Sequence, residues 1–248
     1  MQNLNYKVII PDLNQQLEQD EEWVIVDFGE RQEKLRLHDY GSIYKIPGLY
    51  EEILCKHLQY NSPKVICDML SDVVERSGYS VRDLRVLDFG AGNGIFGEQI
   101  KGGGCSLLVG VDILAEAKEA ADRDRGRIYD DYYVMDLGQP DDKEIEKLKQ
   151  YNFNALVTVA ALGFDDIPPQ AFLNAFNLIS DGGWIAFNIR DKFLTKKDNT
   201  GYREIIRGIS EDAISIQQRK HYRHRFSLAG KRLDYVAFVG RKRGNVNL

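Results

Sequence analysis

Apolar residues along this chain switch between two spacings, and the switches mark out its elements. Short unbroken apolar runs fall at Arg85 to Phe89, Leu107 to Val111, Tyr132 to Leu137, Asn154 to Ala160 and Trp184 to Asn188. Each has the length and content of a strand buried on both faces of a parallel sheet. Helical spacing takes over between them, at Ile95 to Lys101, Leu114 to Arg123 and Asp141 to Lys149. Pro168 and Pro169 open another helix, which puts Phe172, Ala175, Phe176 and Ile179 on one face. Gly102-Gly103-Gly104 stops the first helix, and Asp141 with Glu144 has the form of a capping box. Asp181-Gly182-Gly183 turns the chain into the Trp184 strand, and Tyr202 to Ile209 predicts one more helix. Two long strands, Ile214 to Phe226 and Leu233 to Gly240, flank a turn over Leu228 to Leu233. Strand and helix alternating in this way predict an α/β domain over residues 81–248.

Residues 1–80 precede it as an extension. Trp23 to Phe28 and Lys34 to His38 read as a hairpin around Gly29-Glu30-Arg31-Gln32-Glu33. H-D-Y-G-S-I-Y-K-I-P-G-L-Y follows, then amphipathic helices near Tyr50 to Gln59 and Pro63 to Ser77.

The chemistry concentrates where the first core strand ends, in V-L-D-F-G-A-G-N-G at Val86 to Gly94. Gly90, Gly92 and Gly94 alternate with Ala91 and Asn93, so the chain can turn sharply and expose backbone N–H groups to a ligand. The loop feeds a helix N-terminus, which favours an anionic group. Asp112, at the tip of the next strand, can accept from both hydroxyls of a ribose. Two ligands suit such a floor. A dinucleotide fingerprint fits Gly92, Gly94 and Gly97 with Asp112 downstream. The second pattern, D-x-G-x-G-x-G, also uses Asp88, whose carboxylate would repel a pyrophosphate and attract an ammonium. S-adenosylmethionine carries that ammonium, a carboxylate, a ribose and no phosphate, so the balance favours the methyl donor. Asp136, after the third strand, can accept from an adenine amino group, with the Leu137 N–H donating to a ring nitrogen. Ile113 and Met135 would supply apolar faces. The competing reading makes Asp136 a cap for the loop before Pro140.

From about Arg85 to Arg243 the chain resembles class I S-adenosylmethionine-dependent methyltransferases, within them the group that includes the Williams–Beuren region methyltransferase. The resemblance rests on V-L-D-F-G-A-G-N-G, V-G-V-D-I, V-M-D-L, A-L-V-T-V-A-A-L-G-F and L-I-S-D-G-G-W-I-A-F. It implies a Rossmann-like seven-stranded sheet with an antiparallel last strand. It also implies cofactor contacts from Asp88, Phe89, Gly90, Ala91, Gly92, Asn93, Gly94, Asp112, Ile113, Met135, Asp136, Leu137 and Ala160. Asn154 departs from the Asp that many members carry before the fourth strand. In such enzymes the segment ahead of the first core strand often covers the cofactor. Tyr40, Tyr44 and Tyr50 are therefore lid candidates, because an aromatic face attracts a sulfonium; packing the extension onto the sheet is the competing role.

Acceptor chemistry is less legible. Ala160 to Asp166 occupies the place where acceptors are often met, and an N/D-P-P-Y/F motif is absent from it. Arg190 could hold an anionic substrate group or pair with Asp191, and His38 reads as ordinary. No residue stands out as catalytic.

Composition narrows the field further. A formal charge of −5 over 248 residues gives no global argument for nucleic acid or membrane binding. Arg and Lys do recur from Arg219 to Arg243, but alternation splits a strand's charges between two faces. Cys55, Cys67 and Cys105 lack paired spacing, so they predict reduced thiols and no metal site. No apolar run approaches membrane-spanning length. The expectation is a cytoplasmic methyltransferase acting on a small molecule, without nucleic acid or membrane partners. The rivals are a non-catalytic S-adenosylmethionine-binding protein and an NAD-linked oxidoreductase.

Overall fold

A computed structural model describes residues 5–11, 17–164, 166–198 and 200–246. In chain order the extension contains β1 (Lys7–Ile9), β2 (Trp23–Asp27), β3 (Gln32–Arg36), α1 (Tyr40–Lys45), a wide helical turn at Glu51–His57, and α2 (Ser62–Arg76). The domain follows with β4 (Arg85–Phe89), α3 (Ile95–Gly102), β5 (Leu107–Asp112), α4 (Ala115–Arg125), β6 (Asp131–Val134) and α5 (Asp142–Lys149). It closes with β7 (Ala155–Leu162), α6 (Pro169–Asn177), β8 (Trp184–Arg190), α7 (Tyr202–Gly208), β9 (Ile214–Phe226) and β10 (Arg232–Lys242).

The main sheet has seven strands in the order β6-β5-β4-β7-β8-β10-β9. The pairs from β6 to β8 are parallel, whereas β10 runs antiparallel to both β8 and β9. This is the Rossmann-like sheet expected of a methyltransferase, with its last strand reversed. Alternation along β4 sends Val86 to one face and Leu87 to the other, where they join different apolar clusters. Leu87 packs with Phe172, Phe176 and Phe187, and Val86 with Ile66, Leu70, Phe96 and Ile100. Helix α2 thus lies against the sheet, although it is read from sequence as part of the extension.

The extension departs from expectation in three places. β1 adds a third antiparallel strand beside β2, beyond the predicted hairpin. The β2–β3 turn is tighter than read: Phe28 N donates to Arg31 O at 2.9 Å, with Gly29 at φ +86°, so β3 starts at Gln32. Helix α1 forms within the Tyr40 segment because the Asp39 carboxylate accepts from Ser42 N.

A buried ion pair pins the extension to the sheet. Arg225 on β9 and Glu22 ahead of β2 are each 2% exposed, with N···O at 2.6 Å. The second Glu22 oxygen accepts from Leu228 N. Nearby, Phe226 N donates to Leu58 O and Asn61 N to His224 O. Basic residues of the C-terminal third are accordingly dispersed. Arg225 and Lys242 are buried, Arg241 lies over Trp184, Arg232 pairs with Asp234, and Arg219, Lys220 and His221 are exposed on edge strand β9.

Removing one partner strands a buried charge, which costs about 3–5 kcal/mol. Glu22→Ala should lower the unfolding free energy in urea by about that amount, whereas loss of an exposed pair such as Arg76–Asp72 should be nearly silent.

Candidate cofactor and acceptor site

The carboxyl ends of β4, β5, β6 and β7 border a cavity of about 530 Å³, roofed by α1. Its floor is the glycine loop. Gly90, Gly92 and Gly94 all have positive φ, at +72°, +54° and +83°. Above Gly92 stands the Tyr44 hydroxyl, 2.6 Å from where a Cβ would sit. Below the loop, Gly92 O accepts from Tyr132 Oη at 2.7 Å. Asp112 fixes the loop to the next strand: one carboxylate oxygen accepts from Gly92 N at 2.8 Å, the other from Leu114 N at 3.0 Å. Asn93 is held from both sides, its Nδ2 donating to Glu51 Oε1 of the extension and its carbonyl accepting from Arg125 of α4.

Two glycines outside the loop are explained by tyrosines behind it. A Cβ at Gly97 would lie 2.5 Å from Tyr129 Oη, and one at Gly110 would lie 2.7 Å from the Tyr132 ring. Gly97 therefore makes room for Tyr129, which accounts for it without a dinucleotide. The Tyr129 hydroxyl donates to Asp88 Oδ2 at 2.8 Å. Asp88 is 1% exposed and has no cationic partner among the described residues. Burial pushes its carboxyl up to about 7, with the neighbouring Asp112 adding to the rise. Asp112 is also raised by burial.

The walls are acidic. Asp39, Asp88, Asp112, Glu116, Asp136 and Asp166 line the cavity against Lys45, whose Nζ lies 3.2 Å from Glu116. Such a cavity repels pyrophosphate and attracts a cation. Ile113 is 60% exposed on one wall, an apolar face open to a ligand. Both observations suit S-adenosylmethionine, a sulfonium with an ammonium and an apolar adenine face.

A family model described as a methyltransferase domain matches residues 57–234, well over half of the chain. The chain belongs to the methyltransferase-domain family. Its cofactor is S-adenosylmethionine, and its activity is methylation dependent on that cofactor. Solved structures share the fold at low identity. The N-methyltransferase NodS from Bradyrhizobium japonicum WM9, in complex with S-adenosyl-L-homocysteine, is 16% identical with a TM-score of 0.57, over 83% of this chain and 97% of that one. A putative RNA methyltransferase from Pyrococcus horikoshii is 16% identical with a TM-score of 0.54, over 74% and 87%. Magnesium protoporphyrin IX methyltransferase from Synechocystis PCC 6803, with bound S-adenosylmethionine, is 13% identical with a TM-score of 0.51, over 73% and 79%. No curated protein matches the sequence.

Of the residues expected to meet the methyltransferase cofactor, all but Gly94 line the cavity. Gly94 sits behind it at the start of α3, where a Cβ would press on Tyr129 and Arg125. Asp136 borders the cavity while its Oδ1 also accepts from Gly138 N at 2.7 Å, so it closes its own loop as well. Tyr40, Tyr44 and Tyr50 lie in the wall, but Arg190 does not. Arg190 instead faces Glu18 at 3.7 Å and the Phe164 ring. Asp165 lies outside the described residues. The fold brings together on this wall Tyr60, which sequence reading missed, His38, which read as ordinary, and Asp166, the last residue of the segment expected to meet an acceptor.

Ala160 has a left-handed backbone, φ +56°, at an irregularity in β7. Its N–H donates to buried Asn188 Oδ1 at 2.7 Å. Asn188 Nδ2 in turn donates to Tyr222 Oη and Ser62 Oγ, a network that extends to His224 Nδ1.

Among the described residues, no helix is long and apolar enough to cross a membrane, and no group of three or more His, Cys, Asp or Glu is placed to hold a metal.

Gly92→Val would drive a branched side chain into the Tyr44 hydroxyl at a positive φ. Overpacking of that kind should lower the unfolding free energy by about 1–3 kcal/mol, and a side chain on the cavity floor should weaken S-adenosylhomocysteine by calorimetry, with the far-UV circular dichroism unchanged.

Proposed function

We propose that this methyltransferase acts on a small-molecule acceptor in the cytoplasm, with the extension as its cover. The observation that carries the reading is the acidic cavity closed over by the stacked Tyr40 and Tyr44 rings, whose centroids are 6.1 Å apart. A roof packed this close to the glycine loop suits a compact acceptor better than a polymer. The resemblance to the Williams–Beuren region group belongs to the same proposal and is supported by the sequence motifs.

In this reading Asp88 faces the ammonium of the cofactor, and the amides of the glycine loop face its carboxylate. Asp112 keeps lone pairs for the ribose hydroxyls while it holds Gly92 and Leu114. Asp136 and the Leu137 N–H receive the adenine edge, and Ile113 and Met135 flank its faces. When bound, the cofactor supplies an electrophilic methyl on sulfur. The chain's contribution is alignment and exclusion of water, which are large terms in an in-line displacement. Tyr40 and Tyr44 lie where their π-faces can meet the sulfonium.

Three measurements test this. Calorimetric titration should show binding of S-adenosylmethionine and S-adenosylhomocysteine and none of NAD; binding of NAD alone overturns the site assignment. Asp112→Ala removes hydrogen bonds to a charged group and should weaken S-adenosylhomocysteine by about 1.5–3 kcal/mol. An unchanged dissociation constant in a folded variant removes Asp112 from the ribose role.

Asp88 gives the pH dependence. Its carboxyl titrates near 7, and pairing with an ammonium favours the ionised form. Affinity should therefore be fullest above pH 7 and fall as pH drops through it, approaching tenfold per unit. Asp88→Asn should flatten that slope. Stability of the unliganded protein runs the other way. A carboxyl raised by burial destabilises the fold when ionised, so its cost appears as pH rises toward 7 and vanishes below the unfolded value near 4.

A further inference from the structure

Beside the cofactor cavity is a second, partly open space of about 20 Å³. His38, Tyr40, Tyr50, Tyr60, Ala160 and Asp166 line both. A water needs roughly 10–15 Å³ of such volume, so the space admits a functional group whose body lies in the larger cavity.

Its back wall contains a hydrogen-bond acceptor without a donor. Gln19 is 6% exposed, and its Nε2 donates to Tyr235 Oη at 3.0 Å. Gln19 Oε1 is buried with no partner among the described residues. A buried carbonyl in that state costs about 1–3 kcal/mol, which a ligand N–H or O–H would recover. Two cations stand at this wall, and each faces a carboxylate: Arg225 is paired with buried Glu22, and Arg190, whose Nη1 is buried without a hydrogen-bond partner among the described residues, lies 3.7 Å from Glu18. The faces of Tyr40 and Tyr60 and the carboxylate of Asp166 favour a cation.

One titratable group on the shared wall is placed to take a proton. His38 Nδ1 lies 3.8 Å from Asp166 Oδ1, and its ring packs between Tyr40 and Phe164 at 5.4 and 5.3 Å.

We propose that this space is the acceptor subsite, that the acceptor is a small amine, and that His38, positioned by Asp166, receives its proton. The proposal rests on the cofactor reading of the larger cavity. The amine enters as an ammonium, held by Gln19 Oε1 and the tyrosine faces. It loses one proton to the His38 imidazole, leaving an imidazolium beside Asp166. The freed nitrogen lone pair forms the N–C bond as the C–S bond breaks, and that bond's electron pair departs on the sulfur of S-adenosylhomocysteine. The product leaves as the methylated ammonium.

The test uses the full chain saturated with S-adenosylhomocysteine, titrated with benzylamine, benzyl alcohol and benzoate. Benzylamine should bind at least about tenfold tighter than either isostere, and Gln19→Leu and Asp166→Asn should each weaken it by about fivefold or more. Gln19→Leu should hold S-adenosylhomocysteine within about twofold of the parent, which also reports that it folds. The pH readout is methyl transfer from labelled S-adenosylmethionine to benzylamine. His38→Gln should lose on the order of 100-fold in rate and lose the acid limb of the profile. The titratable groups around His38 are Asp166, Tyr40 and His224, and beyond His224 stand Arg190 and the Arg225–Glu22 pair. Burial holds His224 neutral, well below the usual imidazole value, so it does not supply that limb. Failure of S-adenosylhomocysteine to bind overturns the cofactor reading itself. Binding of the cofactor with no preference for benzylamine, or no labelled amine from the parent protein, overturns the amine assignment. A His38→Gln variant that keeps its acid limb overturns the role of His38.

Discussion

The buried pair of Glu22 and Arg225 is the contact on which the shape of the site depends. Neither charge touches the cavity floor, yet together they fix where the extension meets the far edge of the sheet. That edge is formed by β9, and Glu22 is joined there by backbone bonds from Leu58 and Asn61. Once the extension is held at this point, the segment from His38 to Tyr60 has to run back across the carboxyl ends of the strands. Helix α1 then becomes a roof. An ion pair with both members buried is a poor source of stability in itself, because desolvation consumes most of the attraction. Its value here is geometric: a one-residue slip would leave a charge unpaired in an apolar setting, and that penalty selects one docking register.

A second constraint acts inside the roof. The carboxyl groups around the cavity repel one another, and burial raises the charging cost of Asp88 and Asp112. The unliganded site is thus electrostatically unfavourable, and a cationic ligand relieves it. The same arrangement discriminates. A dinucleotide would bring a pyrophosphate against Asp88 in surroundings of low dielectric, where like-charge repulsion is strongest. Selection for the methyl donor therefore uses repulsion of the competitor as well as attraction of the cofactor.

The core elements were legible because their signals are local. Buried parallel strands announce themselves as unbroken apolar runs, and the boundaries of β4 fall where the run ends. The capping box at Asp141 and Glu144 needs four consecutive residues and is present as read. The cofactor loop is legible for the same reason, since glycine is required where φ is positive. Gly94 was grouped with the other loop glycines because a sequence pattern cannot separate a glycine that lines a cavity from one that faces Tyr129. The extension was less legible. Lys7 to Ile9 is too short to carry periodicity, and it becomes a strand only by pairing with β2. Arg190, after its strand, offered either an anionic substrate group or Asp191 as partner, and the structure sets it 3.7 Å from Glu18, far away in the chain. His38, Tyr60, Asp166 and Gln19 share a wall only through tertiary docking, which no single segment encodes.

Ala160 joins these constraints. An alanine in the left-handed region costs on the order of 1–2 kcal/mol, and the structure offsets that through a buried hydrogen bond to Asn188. Asn188 is itself fully committed: it also donates to Tyr222 and Ser62, the hydroxyl at the start of α2, and this cluster reaches His224 on β9. The strained residue lines both the cofactor cavity and the smaller space behind it. Its backbone is therefore set by the strands and by the extension together. A methyl group in flight has to be aligned to within fractions of an ångström. Tying the wall between the two spaces to both layers of the fold means that neither layer can shift without the other, so docking of the extension and the shape of the cavity become one structural event.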